Sequence, residues 1–459
     1  MESHQTDVVV IGAGIAGIAT AYYLKKYSPK LSVTIIDQLQ PMTYTSAQSG
    51  ENYRNWWPHP TMKNFIEHSI KLMEAISLET NDQINLTRRG YLLATRNNNV
   101  SDLVAEIQST YNHNFTSKDN IETFLRFHSN SNHSQYLAPT SSRWQDAPEG
   151  VDILQSKELI KKFFPSLDPE INNIIHVRNA GMLDSQQMAS FMLEQYKELG
   201  GKRLNGKVID IQKADNFTVG LDNTHQSIIA TSVVNAAGPF INDIAKMVRV
   251  NLPVENVLQQ KIAFPDTQRA IPRNLPFVVD LDEQKIDWQE EDRNLLKDDA
   301  DFSWLTEKLP GSIHCRPEGG DSGNWIKLGW AYNEQPSNAL LEPKLDDYFP
   351  EIVIRGAARL NPSLKVYYDA LPRKMIHYGG YYTKTKENWP LIGKTEVEGF
   401  YINGAMSGFG SMAACAGGEL CAQSILDLGL PGYSNALSLE RYKDLKFMDD
   451  LSYFKMGIL

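Results

Sequence analysis

The chain has 459 residues, 42% hydrophobic and 22% charged, with a formal net charge of −10 at pH 7. That length fits two or three domains rather than one simple core, and the negative balance argues against a nucleic-acid partner, which needs a basic face. Cys315, Cys415 and Cys421 have no Cys-x-x-Cys spacing and the ten histidines show no paired-ligand spacing, so neither a disulfide framework nor a metal site is expected.

The N-terminal 37 residues carry the strongest signal. Asp7 to Ile11 reads as a buried strand, Gly12-Ala13-Gly14-Ile15-Ala16-Gly17 as a turn, Ile18 to Lys26 as a helix, and Val33 to Ile36 as a second strand ending on Asp37. In a dinucleotide-binding unit, Gly12 permits the tight turn, Gly14 lets backbone approach a pyrophosphate and Gly17 lets the helix pack on the strand. The helix N-terminus offers free N–H groups to phosphate. Asp37, 20 residues past Gly17, is placed to accept hydrogen bonds from ribose hydroxyls.

Val8 to Leu24 is 17 residues without a charge. Its three phased glycines fit the turn and disfavour a membrane-spanning helix. Met1 to Asp7 carries two acids and no Lys or Arg, so no signal peptide is read there. No later segment is apolar enough to span, and a cytoplasmic location is expected.

Further along, Thr61 to Leu78 has apolar residues at helical spacing. Gly90 to Thr95 reads as a strand. Asn97 to Asn99 and Ser129 to Ser134 are polar tracts, read as exposed loops. Ser185 to Leu199 is helical and stops at Gly200-Gly201. Lys207 to Ile211 and Phe217 to Leu221 read as strands of a small meander, and Ile228 to Ala236 as a buried strand running into Gly238-Pro239. A block of strands spans about Pro253 to Trp330. It is broken by Pro310-Gly311 and by the acidic window Asp280 to Asp301, read as solvated surface. Tyr367 to Lys374 and Met375 to Thr383 are expected to return the chain to a sheet. Gly399 to Gly404 is a strand, Ser407 to Ser411 a glycine turn, and Met412 to Leu428 a helix of small residues. One domain is thus expected from both chain ends, with a second interleaved between them. The tail, Ser438 to Leu459, mixes apolar residues with Lys and Asp and is read as packing on the body of the molecule.

Three of these motifs carry a resemblance. Gly12 to Gly17 with Asp37, then Asn235-Ala236-Ala237-Gly238-Pro239, then Gly404 to Gly410 resemble the FAD signatures of the D-amino-acid oxidase superfamily, nearest to its sarcosine oxidase and glycine oxidase members. The resemblance implies FAD rather than NAD. It implies an α/β (α+β) fold: a Rossmann-like FAD-binding domain (1–86, 176–250 and 374–459) with an interleaved substrate domain (87–175 and 251–373) on a mixed, largely antiparallel sheet. The implied cofactor contacts begin with Gly12, Gly14, Ile15, Ala16, Gly17, Asp37 and Gln38. They continue with Thr45, Ser46, Ser49 and Gly50 in the segment that follows the flavin phosphates, and with Val208, Ala237 and Gly238. Gly408, Phe409, Gly410, Ser411 and Met412 match the loop that donates N–H groups to the pyrimidine end of the ring, where backbone donors and a positive helix end stabilise negative charge.

For chemistry, Trp325-Ile326-Lys327-Leu328-Gly329 resembles the sarcosine oxidase strand whose lysine sits over the flavin and activates oxygen. A fixed cation there stabilises developing negative charge; an edge-strand lysine pointing to solvent is the alternative. The substrate clamps of the relatives are altered. Their C-terminal lysine falls on Met412, their Leu-Arg-Pro arginine on Tyr382, and the histidine after the active-site lysine on Ala331. Arg54 and Arg316 remain as carboxylate candidates, each with an ordinary salt bridge as its alternative. Trp56, Trp330 and Tyr382 are candidate pocket walls, against core packing. The covalent cysteine of sarcosine oxidase falls on Gly380, so noncovalent FAD is expected.

These expectations amount to an FAD-dependent oxidoreductase. It would move a hydride from a carbon bearing nitrogen to flavin N5, release peroxide from O2, and act on a small-molecule amine or amino acid, with an oligomer possible. The alternatives are a dehydrogenase passing electrons to a quinone or protein partner, an NADPH-driven flavin monooxygenase, and a flavoprotein that acts on or binds a larger amine or polypeptide.

Overall fold

The structure, a computed structural model, describes residues 3–112, 124–129, 136–140, 143–222 and 227–452. Asn130 to Ser134 of the second polar tract, and Phe454 and Met456 of the tail, lie outside the described residues. The elements that build the site are, in chain order, β1 (Ser3–Ile11), α1 (Ile15–Tyr27), β2 (Val33–Asp37), β3 (Ser227–Asn235), β4 (Glu255–Pro265), β5 (Ile313–Glu318), β6 (Trp325–Gly329), α2 (Phe349–Leu360), β7 (Ile376–Lys384), β8 (Phe400–Gly404) and α3 (Gly410–Ile425).

An eight-stranded sheet joins the chain ends. β1 lies parallel between β3 and β2, and β8 adds to β3, also in parallel. Parallel strands covered on both faces read as unbroken apolar runs, and Val8, Val9, Val10, Ile35 and Ile36 are all buried. The hairpin Val208–Lys213 and Phe217–Leu221 extends β3 antiparallel. α1 and α3 pack side by side over this sheet. A Cβ on Gly418 would sit 2.6 Å from the Ala19 Cβ, so the small residues from Ala413 to Gly418 set how closely the two helices approach.

A second, nine-stranded sheet has the order β7-β4-β6-β5 and then Phe277–Asp280, Tyr91–Thr95, Asn173–Val177, Val151–Leu154 and Leu125–His128. Its first four strands are antiparallel neighbours. Alternation separates two faces there. Ile262, Phe264, Cys315, Ile326 and Leu328 pack with α2 in one apolar cluster. Burying each such aliphatic side chain contributes roughly 1.5–3 kcal/mol. The opposite face carries Lys261, His314, Arg316, Lys327, Tyr378 and Tyr382, set side by side by the register.

Two expectations are corrected and one alternative is removed. The stretch 367–374 is not a strand: a short 3-10 helix covers Pro362–Tyr367 and the sheet resumes only at Ile376. Asp280 does not belong to the solvated window. It is fully buried and ion-paired to Arg96, whereas the helix Glu290–Asp298 is exposed. Lys327 is not on an edge strand, because β6 lies between β4 and β5. Among the described residues no helix is long and apolar enough to cross a membrane, and no cluster of His, Cys, Asp and Glu could hold a metal.

Candidate active site

Gly12 has φ +111°, and a Cβ there would lie 2.2 Å from the Ala236 carbonyl oxygen. A Cβ on Gly17 would lie 2.0 Å from the Gly12 carbonyl oxygen. Both glycines are therefore fixed by the close meeting of β1, β3 and α1. α1 has no cap from its own side chains; instead Ser46 Oγ accepts a hydrogen bond from Ile15 N at 3.1 Å. Asp37 accepts from Ala13 N at 2.6 Å and from Leu39 N at 2.8 Å. Its carboxylate holds the turn and keeps further acceptor capacity where Asp37 lines the groove.

Beyond the carboxyl ends of β1, β2, β3 and β8 lies a cavity of about 580 Å³, within the range of cofactor pockets. Its lining includes Gly12, Gly14, Ile15, Ala16, Asp37 and Gln38 from the first motif, and Thr45 and Ser46 from the following segment. Val208, Ala237, Gly238 and Gly410 complete the expected contacts found there. Two lining residues carry buried polar atoms without a partner, Thr45 Oγ1 and Asn403 Oδ1. A Cβ on Gly238 (φ +54°) would meet nothing within 4 Å, so open space begins at that turn. A helix N-terminus, a strand-end carboxylate and unsatisfied polar atoms in a long groove fit a dinucleotide.

The remaining expected cofactor contacts do not line this cavity. Gly17 is buried in the first turn of α1, against Gly12. Ser49 Oγ and Ser411 Oγ share a hydrogen bond of 2.7 Å, which ties the segment after β2 to the first turn of α3. Gly50 and Gly408 lie against the second sheet: Gly50 O accepts from Arg316 Nη2 at 2.9 Å, and a Cβ on Gly408 would be 2.5 Å from the Tyr382 ring. Phe409 and Met412 are buried in the core cluster that includes Trp57. Trp57 meets Phe409 edge-on at 4.9 Å.

On the second sheet, Arg316 and Lys327 are opposed in the β5–β6 ladder. Arg316 Nη2 and Lys327 Nζ reach Glu318 Oε2 at 2.7 and 3.2 Å. Burial, and then the neighbouring Arg316 guanidinium, pull the Lys327 ammonium down to about 8, with Glu318 and Glu51 opposing. For Glu318 burial works upward, but Arg316 and Lys327 prevail and hold its carboxyl below the ordinary value. The His314 ring is held neutral, lowered to about 3 by burial and by Lys261.

Arg54 is fully buried. Its Nε donates to Trp56 O at 3.2 Å, and its guanidinium lies 4.8 Å from the Trp57 ring and 5.7 Å from the Tyr91 ring. Its Nη2 has no partner, and neither do Trp56 Nε1, Trp57 Nε1, Arg316 Nε and Tyr378 Oη. Arg54, Arg316 and Tyr382 all act electrostatically on the buried Tyr91 hydroxyl, whose pKa burial raises. The structure therefore brings Arg54, Arg316, Tyr382 and Lys327 to one region, with Trp56 in the apolar cluster around Tyr91 and Phe277.

Trp330 is elsewhere. Its indole packs on Gly356 in the apolar cluster with α2, and Nε1 donates to Pro310 O at 3.0 Å, so it is a core residue and not a pocket wall. Sequence reasoning missed Lys261, Glu318 and Tyr378. Part of the signal existed for Lys261: in Gln259-Gln260-Lys261-Ile262-Ala263-Phe264 it has an apolar neighbour on one side, Ile262, but Gln260 on the other, where Lys327 has Ile326 and Leu328.

A family model described as FAD dependent oxidoreductase (DAO) matches residues 7–424. The chain is 22% identical over 449 residues to sarcosine oxidase subunit beta of Rhodobacter capsulatus, covering 97% of this chain and 90% of that protein. Its fold is that of L-proline dehydrogenase from P. horikoshii (TM-score 0.71, 19% identity, 96% and 99% of the two chains). Glycine oxidase from Geobacillus kaustophilus shares it too (TM-score 0.68, 16% identity, 96% and 99%).

Proposed function

This chain belongs to the DAO family of FAD-dependent oxidoreductases, and from that premise we propose that it oxidises the C–N bond of an amino acid or amine. Similar proteins named for sarcosine, glycine and L-proline support a nitrogen-bearing carbon as the point of attack. The observation that carries the reading is the buried polar face of β4–β7, where Arg316 donates to Gly50 O in the segment that continues on from the cofactor groove and Lys327 stands opposite Arg316. FAD, when bound, supplies the two-electron acceptor, and the protein supplies orientation and charge. Gly12 to Gly17, Asp37, Thr45 and Ser46 would hold its dinucleotide part. Ser49, Gly50, Gly408 and Ser411 would meet its ring end. Gly380 offers no thiol, so the cofactor is read as noncovalent.

In this reading Arg54 and Arg316 hold the substrate carboxylate, with Tyr382 beside them. Trp56 and Tyr91 exclude water from the pocket, which strengthens those charge interactions. Lys327 presents a buried cation to O2, and preorganised charge of that kind lowers the barrier to forming an anion. The products would be an imine, hydrolysed by water, and peroxide. Turnover in air should release one peroxide for each carbonyl product formed; a carbonyl yield without peroxide would remove the oxidase part of the reading.

A second reading is favoured by one observation. Lys327 Nζ is engaged by Glu318 at 3.2 Å, which offsets the cation that O2 activation needs. On that reading electrons leave to a quinone or protein acceptor. Rapid reoxidation by a soluble quinone with slow reoxidation by air would support it.

A further inference from the structure

Lys261 is a buried cation that the proposed reaction leaves without a task. It is 7% exposed and sits at the centre of β4. It faces Gly329 on β6, which has no side chain, and Tyr378 on β7. Its stem passes the cofactor segment, since a Cβ on Gly50 would be 3.9 Å from Lys261 Cε. Its Nζ reaches the Tyr382 hydroxyl at 3.4 Å and lies 5.4 Å from that ring. Among the described residues no carboxylate comes within ion-pair distance of it.

The charges on this region do not balance. Lys261, Arg316, Lys327 and Arg54 are cations, and Arg54 too has no carboxylate partner among the described residues. Glu318 is shared by Arg316 and Lys327, and Glu51, whose Oε1 accepts from Ser185 N at 3.1 Å and Ser185 Oγ at 2.9 Å, is the other nearby acid. Two buried cations are thus left over. A buried, uncompensated charge is costly to keep, and such groups persist where a ligand completes them. One α-carboxylate would complete one of them. Lys261 and Arg54 lie on different walls, Lys261 on the sheet and Arg54 in the short strand Asn52–Arg54.

We propose that Lys261, oriented by the Tyr382 hydroxyl, anchors a second acidic group, so that the substrate is an amino or imino acid carrying two carboxylates. This rests on the reading of the cleft as an amino-acid site.

The test uses the FAD-loaded protein and two five-carbon acids that cannot be oxidised at nitrogen, glutarate and valerate. Each is titrated while perturbation of the flavin absorption band is followed. Glutarate should bind at least about tenfold tighter than valerate. Lys261→Met should abolish that preference by weakening glutarate, Lys261→Arg should retain most of it, and valerate should change little. Equal affinity of the two acids for the unmutated protein overturns the proposal whether or not a variant folds, as does a preference that survives Lys261→Met. A glutarate preference in a protein whose flavin no amine or amino acid reduces would leave the anion site standing and remove the C–N oxidation it was joined to.

Discussion

Arg316 and Lys327 stand directly opposite one another in the antiparallel ladder of the second sheet and share one carboxylate, that of Glu318. Two cations side by side in a buried layer repel, and Glu318 makes their proximity tolerable. The trio sets the charge that the sheet presents to the Gly50 segment, whose carbonyl accepts from Arg316.

Lys327→Met should slow reoxidation of the reduced protein by O2 by about 10²–10³-fold, the scale on which one preorganised charge acts. Anaerobic reduction by substrate should change far less. Stopped-flow measurement of the two half-reactions separates them; equal slowing of both would assign Lys327 a general structural part instead.

The same residue gives a pH dependence. With Lys327 near 8, the cation is lost as pH rises through that value, so the reoxidation rate should fall above about pH 8. Glu318 works to raise the Lys327 pKa, so Glu318→Gln should move the falling limb to lower pH. A limb that stays in place in Glu318→Gln would show that the titrating group lies elsewhere.

Stability should respond with a defined sign. The Lys327 pKa in the folded chain, about 8, is below the ordinary 10.5. Between those values the unfolded chain binds more protons, so stability should rise with pH over that window. Below about 8 both states are charged and the burial penalty is fully present. Urea unfolding at pH 7.5 and about pH 10 should show this gain in the parent chain and less of it in Lys327→Met.

At the other end of the groove, Gly17→Ala would drive a Cβ onto the Gly12 carbonyl, 2.0 Å away. Overpacking of this kind costs about 1–3 kcal/mol. Gly12→Ala meets the Ala236 carbonyl at 2.2 Å and must also hold φ +111°, so it should cost more. Both should lower the flavin content of the purified protein. Gly238→Ala meets no atom within 4 Å of its Cβ but must hold φ +54°, so it should destabilise the fold less than either, while its Cβ enters the groove and should still weaken cofactor binding.

The Ser49–Ser411 contact should be modest in stability but visible in binding. Ser49→Ala removes the bond to Ser411 and the one Ser49 accepts from Glu51 N at 2.9 Å, whereas Ser411→Ala removes only the first. At about 1 kcal/mol for each such bond, Ser49→Ala should be the more destabilised in urea titrations. Equal losses would mean that the Glu51 turn holds without its hydroxyl.

The cofactor half of the molecule was legible because its constraints are local. Gly12, Gly17 and Asp37 act within one strand-turn-helix-strand unit, and the small residues of α3 announce a close helix contact. The second sheet was harder to read, because its chemistry depends on register. Lys261, Arg316 and Lys327 come from three strands spread over some 70 positions, and nothing local to any of them says which will be opposed. Trp330 was misplaced for a different, local reason. It stands three residues after Lys327, an odd offset that reverses its face, and strand alternation alone would have put it in the apolar layer. Asp280 could not be recognised as buried without Arg96, 184 residues away, beside it.

The most direct measurement is an anaerobic titration of the yellow protein with a panel of amino acids, N-alkyl amino acids and simple amines. Stoichiometric bleaching of the flavin band by at least one nitrogen-bearing compound, with the matching oxo or imino product, is the expected result. A band that no member of the panel bleaches, in protein that dithionite still reduces, would contradict C–N oxidation as the function of this cleft.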